Sequence, residues 1–494
     1  MLEFIAILPE TFLVLTVIAI ILSEITYHGE PRRLVVPIAS LGLVMALVQT
    51  VLTLQQVPTQ VFNRALSIDG VSLVFKILFI LLGIITLAAS TRSREIADDR
   101  RAEFSALVVA ATLAMCLLAS AADLMLAYVS LMLLNILAYF LAGYAKRTIV
   151  STEAAVKYLT FSTVGGGFLL YGFAILFGAT HSLNMHEIHN ALLANPFPAL
   201  KLLVVFFLIF LALCFQAAAF PMHLWAPDVI EGAPTPVSAF LSFGTRAAAF
   251  ALGLRLLIVV FAQPTLEAGQ WQVLSVLGTS AFDWTDVVEL VSGFTMIVGS
   301  LLAFRQTGAK RLVGYLGVAE SGFLLMGILV LNEVGVAALL YNLIIQLFAL
   351  TGTYFILSFF HDVLSSDRLE DLNGMLKRAV PDCICLLIFL TCLVGLPPTP
   401  GFVGKFTLIG VAVRHHRPIL AATAIVSMVL STMAIARLGY HLVGDYRKPQ
   451  AAAIEPSTWR KVFLAALTVP MFLTGIFAEA LLAVAGRTLG LILW

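Results

Sequence analysis

The chain has 494 residues, 61% of them hydrophobic and 12% charged, with a mean hydropathy of +1.02 and a formal net charge of +1. A soluble domain carries about twice that charge fraction, so an ordinary soluble enzyme is excluded. The near-neutral balance leaves no basic field for nucleic acid. The remaining class is an all-α membrane protein that crosses the lipid bilayer many times.

Apolar runs of about 20 residues match the length that spans a hydrocarbon core. They fall at 3–23, 34–54, 70–90, 103–121, 123–143, 154–178, 201–222, 236–261, 287–304, 311–331, 335–360, 382–413 (interrupted), 418–442 and 461–485. That makes about fourteen transmembrane helices. The first run has no basic flank before it and is expected to stay as a span rather than be cleaved. Cys116, Cys214, Cys383, Cys385 and Cys392 all sit in or beside apolar runs. They read as small buried hydrophobes, so no metal site is expected. His181, His186 and His189 lie between spans 6 and 7, in a stretch that reads as a short amphipathic surface helix.

Lysine and arginine alternate between the loops. Arg32 and Arg33 follow span 1, Arg92 to Arg101 span 3, Lys146 and Arg147 span 5, Lys310 and Arg311 span 9, Arg368 to Arg378 span 11, and Arg447 to Lys461 span 13. The opposite loops are nearly bare. By the positive-inside rule, both termini are expected on the non-cytoplasmic side of a bacterial-type energy-transducing inner membrane.

Two of the spans are interrupted. In the seventh, Phe220-Pro221-Met222-His223-Leu224-Trp225-Ala226-Pro227-Asp228 breaks an apolar run, because Pro221 lacks an N–H and clashes with the preceding turn. In the twelfth, Gly395-Leu396-Pro397-Pro398-Thr399-Pro400-Gly401 does the same. The second break comes five spans after the first, an odd offset, so the two broken helices cross in opposite directions. That spacing predicts two inverted five-helix repeats, helices 4–8 (103–262) and 9–13 (263–445). Helices 1–3 (1–102) precede them and helix 14 (446–494) follows. Gln216 and Lys405 are expected at roughly equivalent places in the two copies.

A charge at mid-bilayer costs about 3 kcal/mol or more unless it is paired or wetted. Asp123, Glu153, Glu289 and His441 fall near span ends, and Glu153 and Lys157 are placed to pair along one helix face. Lys76 can snorkel. Arg246, Glu320 and Lys405 lie deep, beside Gly244, Gly322 and Gly404, which are expected to leave room for water. A buried lysine can release a proton as well as hold one, whereas arginine stays charged. These three are the candidate proton-path residues.

Phe220–Ser242, reading FPMHLWAPDVIEGAPTPVSAFLS, resembles the hallmark of the antiporter-like N subunit of respiratory complex I, the proton-pumping NADH–quinone oxidoreductase. Ser151–Tyr158, Arg305–Tyr315 and Gly395–Phe406 carry the same resemblance, which extends over nearly the whole chain. It implies fourteen helices, broken helices 7 and 12, sister membrane subunits, and no redox centre or cofactor in this chain. NADH, flavin, iron–sulfur clusters and quinone are then expected in sister subunits. The family's span 5 glutamate falls on Met132, its span 7 lysine on Gln216, its span 8 lysine on Arg246 and its span 10 histidine on Glu320. Only its span 12 lysine is retained, as Lys405. The resemblance therefore implies a membrane-arm subunit, with no complete active site of its own, that provides scaffold and a modified proton path. Because Met132, Gln216 and Arg246 cannot exchange a proton near neutral pH, its first half-channel is expected to be closed to protons. Two further readings stay open: a subunit of a related membrane hydrogenase or cation/proton antiporter, and a non-pumping structural paralogue.

Overall fold

The computed structural model describes residues 7–26, 32–54, 59–146, 148–194, 198–264, 271–273, 283–330, 332–444 and 457–489. Among them, twelve helices are long and apolar enough to cross a membrane. The two interrupted segments add Leu200–Gln216 and Val380–Val394, which are apolar but shorter than a bilayer. The expected count of fourteen is reached only if each interrupted pair is taken as one crossing.

Helices α1 (Leu8–Thr26), α2 (Arg32–Thr53) and α3 (Gly70–Ser90) come first, with a small antiparallel ribbon, Thr59–Val61 on Leu66–Ile68, between α2 and α3. Asp69 starts α3 through a capping box with Ser72, which satisfies amides that the first turn leaves unpaired. Two matching series follow. The first is α4 (Arg101–Ser120), α5 (Leu124–Ala142), the 32-residue α6 (Ile149–Thr180), a short α7 (Met185–Ala194), the broken pair α8 (Ala199–Gln216) and α9 (Trp225–Gly232), and α10 (Thr235–Leu254). The second is α11 (Trp284–Arg305), α12 (Ala309–Leu329), the 32-residue α13 (Glu333–Leu364), a short α14 (Met375–Arg378), the broken pair α15 (Val380–Val394) and α16 (Pro400–Arg414), and α17 (Pro418–Val443). Helices α18 (Thr458–Ile476) and α19 (Ala478–Leu489) end the described chain, so the last expected span is itself split at Phe477.

Burial ranks these helices. Every residue of α10 is buried, and so is nearly all of α12. A helix apolar all round belongs in the middle of a bundle. Helices α1, α2 and α17 instead turn leucines, isoleucines and valines outward, as lipid-facing helices must. Residues from the loops after odd-numbered spans meet on one face: Glu95 lies 3.3 Å from Lys310, which lies 3.4 Å from Asp367. Those after even-numbered spans meet on the other, as in Arg64 with Glu187 and Arg417 with Asp286.

Several local expectations are revised. The first half-helix ends at Gln216, ahead of Pro221, with Ala218 in the left-handed region at φ 54°. Trp225–Gly232 is itself helical rather than part of the break. Gln216 ends the helix before its break while Lys405 sits in the helix after its own, so the two are not equivalent. Lys76 does not snorkel: it is buried and pairs with Glu10 at 2.6 Å. The glycines beside the charges are packed rather than open. A Cβ on Gly404 would lie 2.6 Å from the Asn342 amide, and one on Gly322 would lie 2.8 Å from the Met296 backbone nitrogen.

Candidate proton path through the buried charges

The two breaks leave helix-end carbonyls without helical partners, and the hallmark residues satisfy them. At the first break, the Trp225 indole N–H donates to the Phe215 carbonyl at 2.9 Å. The Ser321 hydroxyl, from the opposite repeat, donates to the Ala217 carbonyl at 2.5 Å. The Phe220 N–H donates to Thr295 Oγ1 at 3.0 Å. Asp228 of α9 meets Lys157 at 2.7 Å and Arg311 at 2.9 Å, and Glu231 meets Arg311 at 3.1 Å. Lys157 also pairs with Glu153 at 2.7 Å, as their spacing predicts. The acidic residues of the hallmark thus tie α6, α9 and α12 together at one face.

At the second break the capping group is itself a charge. Lys405 Nζ donates to the Val394 carbonyl at 3.0 Å. Gly395 allows this approach, since it has φ 80° and a Cβ there would lie 2.8 Å from Lys405 Cδ. The same ammonium pairs directly with Glu320 and lies 4.1 Å from the centre of the Phe323 ring. Both side chains are nearly sealed, at 2% and 3% exposed. Glu320 Oε2 accepts from Gln346 Nε2 at 3.2 Å, and Gln346 Oε1 accepts from the Arg246 guanidinium at 3.3 Å. Lys405, Glu320, Gln346 and Arg246 therefore form one buried polar series running from the second repeat into the first. Its formal charges are two positive and one negative, and the hydrogen-bonded link from Arg246 to Glu320 runs through the carboxamide.

Among the described residues of the first repeat, Gln216 and Met132 join no such series. Gln216 is buried, and neither of its amide atoms has a hydrogen bond of regular geometry. It lies within reach of the Tyr158 hydroxyl, which donates to Asn135 at 3.0 Å. Met132 packs on Gly166, where a Cβ would lie 2.9 Å from its sulfur. Every group in this set is neutral. No described hydrogen bond joins Gln216 or Met132 to the Lys405 series.

Gln346 was not singled out from sequence, although a lone carboxamide in an otherwise apolar run is a visible signal. Three further buried ion pairs were also missed. They are Glu10 with Lys76, whose short contact lacks hydrogen-bond alignment, Asp69 with Arg255 at 2.9 Å, and Asp382 with Arg460 at 3.2 Å. Their members lie far apart in sequence, and no spacing rule connects them.

A polytopic bundle with two broken helices and a buried lysine at the second break fits the class of antiporter-like membrane subunits. Residues 121–431 match the family described as NADH:quinone oxidoreductase/Mrp antiporter, TM, and the chain belongs to that family. It is 32% identical over 433 residues to NADH-quinone oxidoreductase subunit N 2 of Chloroherpeton thalassium, covering 87% of this chain and 83% of that one. Similar, too, is NAD(P)H-quinone oxidoreductase subunit 2 of Synechococcus sp. CC9311, at 32% identity over 94% of this chain and 86% of that one. Among solved structures, a chain of respiratory complex I from Thermus thermophilus with bound aureothin superposes with a TM-score of 0.79 at 29% identity, covering 97% of this chain and 99% of that one. A chain of the Mrp complex from Dietzia sp. DQ12-45-1b shares the fold, with a TM-score of 0.83 at 19% identity over 98% of this chain and 96% of that one.

Proposed function

We propose that this chain is a membrane-arm subunit of a proton-translocating NADH–quinone oxidoreductase, which supplies scaffold throughout and a proton path in its second repeat. NADH, flavin, iron–sulfur clusters and quinone belong to sister subunits in this reading, and the chain itself holds no redox group. The repeats run over 103–262 and 263–445, between flanking segments 1–102 and 446–494. The face carrying Lys310 and Asp367 is cytoplasmic, which leaves both termini on the opposite side.

One observation carries the reading: the sealed contact of Lys405 with Glu320 at a helix break, continued through Gln346 to Arg246. Loss of the Glu320 charge, or its movement away, removes what holds the proton on a desolvated ammonium. The fixed charge of Arg246 then favours the ionised form of Glu320 and resets the pair. Arg246 biases the field and does not itself carry a proton.

The test is the proton-to-electron ratio of the intact complex in proteoliposomes. Lys405→Ala is expected to lower that ratio while quinone reduction continues. An assembled Lys405→Ala complex pumping at the parental ratio would refute the path.

A further inference from the structure

A cavity of about 380 Å³ opens where the end of α3, the end of α13 and the start of α18 meet, on the face that carries the basic loops. Its size is at the lower end of small-molecule clefts, roughly 300–1,000 Å³. None of its lining residues belongs to the Lys405 series.

Its walls are divided by charge. Arg460, in the first turn of α18, is 9% exposed and lies with its guanidinium 3.8 Å from the centre of the Phe359 ring. Its Nε is 3.2 Å from Asp382 Oδ1, without hydrogen-bond alignment, and its buried NH2 group has no hydrogen-bond partner among the described residues. A buried donor left open in this way calls for an acceptor. Exposed Arg92 supplies a second cation, and the Ser457 and Thr458 side chains line the same wall. Opposite in character is Asp362, set among Glu95, Arg94 and His361. Phe355 and Trp459, with ring centres 5.6 Å apart, form an apolar side. Aromatic rings at this level mark the membrane–water interface.

We propose that this cavity binds the headgroup of a zwitterionic aminophospholipid, its phosphate at Arg92 and Arg460, its protonated amine at Asp362, and its first methylenes on Phe355 and Trp459. Arginine forks suit phosphate oxygens. Asp382 already balances much of Arg460, so a purely anionic headgroup meets little surplus positive charge and an opposing Asp362. An ethanolamine headgroup matches both signs, whereas a choline headgroup has no N–H to donate to the carboxylate.

The intact complex containing this chain is reconstituted with photoactivatable phosphatidylethanolamine, phosphatidylcholine or phosphatidylglycerol of the same acyl length. Peptides spanning 355–362 and 457–460 are expected to be labelled about fivefold more by the ethanolamine lipid than by either of the others, equivalent to about 1 kcal/mol. Asp362→Asn should lower the ethanolamine-to-choline ratio about threefold to fivefold, the range of a single partly exposed charge pair. Equal labelling by all three lipids overturns the proposal, as does a preference that survives Asp362→Asn. Stronger labelling by phosphatidylglycerol assigns a plain anionic site and overturns the amine contact. Excess inorganic phosphate is expected to leave labelling unchanged, and its loss would reassign the pocket to a free anion. Should Asp362→Asn fail to assemble, Arg92→Gln, at an exposed position, must lower ethanolamine-lipid labelling, and unchanged labelling again overturns the proposal.

Discussion

At the scale of single residues, the decisive unit is the Lys405–Glu320 pair, because both members are sealed from solvent. Removing one partner of a buried pair strands the other charge and costs about 3–5 kcal/mol, whereas replacing both with apolar groups is often neutral. Glu320→Met alone is therefore expected to impair assembly more than Glu320→Met combined with Lys405→Met. Thermal denaturation of the purified complex checks the order, and a double variant less stable than both singles contradicts it. Gln346 acts differently. Its carboxamide donates to Glu320 and accepts from Arg246, so it transmits polarisation but has no proton to exchange near neutral pH. Gln346→Leu should leave the complex assembled, lower the proton-to-electron ratio, and spare electron transfer at saturating quinone. A parental ratio in that variant would remove Gln346 from the path. The charged members of this series were legible in sequence, since three ionisable residues stand out in apolar runs. Their pairing was not, because it depends on which helices become neighbours.

Elements decide that neighbourhood. Gly322 sits where α12 presses on α11, with the Met296 nitrogen and the Ser292 carbonyl each 2.8 Å from where a Cβ would stand. Backbone atoms cannot yield as a side chain does, so Gly322→Ala should cost about 1–3 kcal/mol of stability and lower the thermal midpoint of the complex. An unchanged midpoint would mean that α11 shifts freely. From sequence the same glycine reads as room for water, since composition cannot tell a cavity from a close approach. The breaks were legible because proline has few roles inside a span. Their limits were not, because the first helix ends at Gln216 through the turn at Ala218, ahead of any proline. On the basic-loop face, Asp367 joins Lys310 at 3.4 Å and His361 at 2.9 Å. Burial pushes the Asp367 carboxyl up, but the His361 hydrogen bond and the Lys310 charge outweigh it and hold the carboxyl below its ordinary value. A depressed acid stabilises the fold above its unfolded value of about 4, and that contribution fades as pH falls through the folded value. Asp367→Asn should thus lower the thermal midpoint at pH 7 and have progressively less effect in acid. An effect that grows with acidification would reverse the sign.

Across the whole molecule the two repeats share a frame and differ in chemistry. The second places a charge pair at its break, and the first sets Gln216 beside Tyr158 and Asn135, with Met132 one turn away on α5. None of those four can exchange a proton near neutral pH, so a proton that reaches Gln216 meets no titratable group within this set. The frame for a path is nevertheless present. Consecutive glycines of α6 meet the two altered positions' surroundings, with Gly165 against Phe215 and Gly166 against Met132. Gln216 lies within reach of Tyr158, which bonds Asn135, one turn along α5 from Met132, so a glutamate at 132 and a lysine at 216 would share that set of neighbours and each is expected to offset the other's charge. Either substitution alone buries an unpaired charge and is expected to reduce assembly. Met132→Glu together with Gln216→Lys is expected to assemble better than either single variant and to raise the proton-to-electron ratio in proteoliposomes, with the Lys405 series untouched. Combining the pair with Lys405→Ala separates the two paths: the gain should persist while the second repeat falls silent. An assembled double variant that pumps at the parental ratio would show that these two positions do not close the first half-channel.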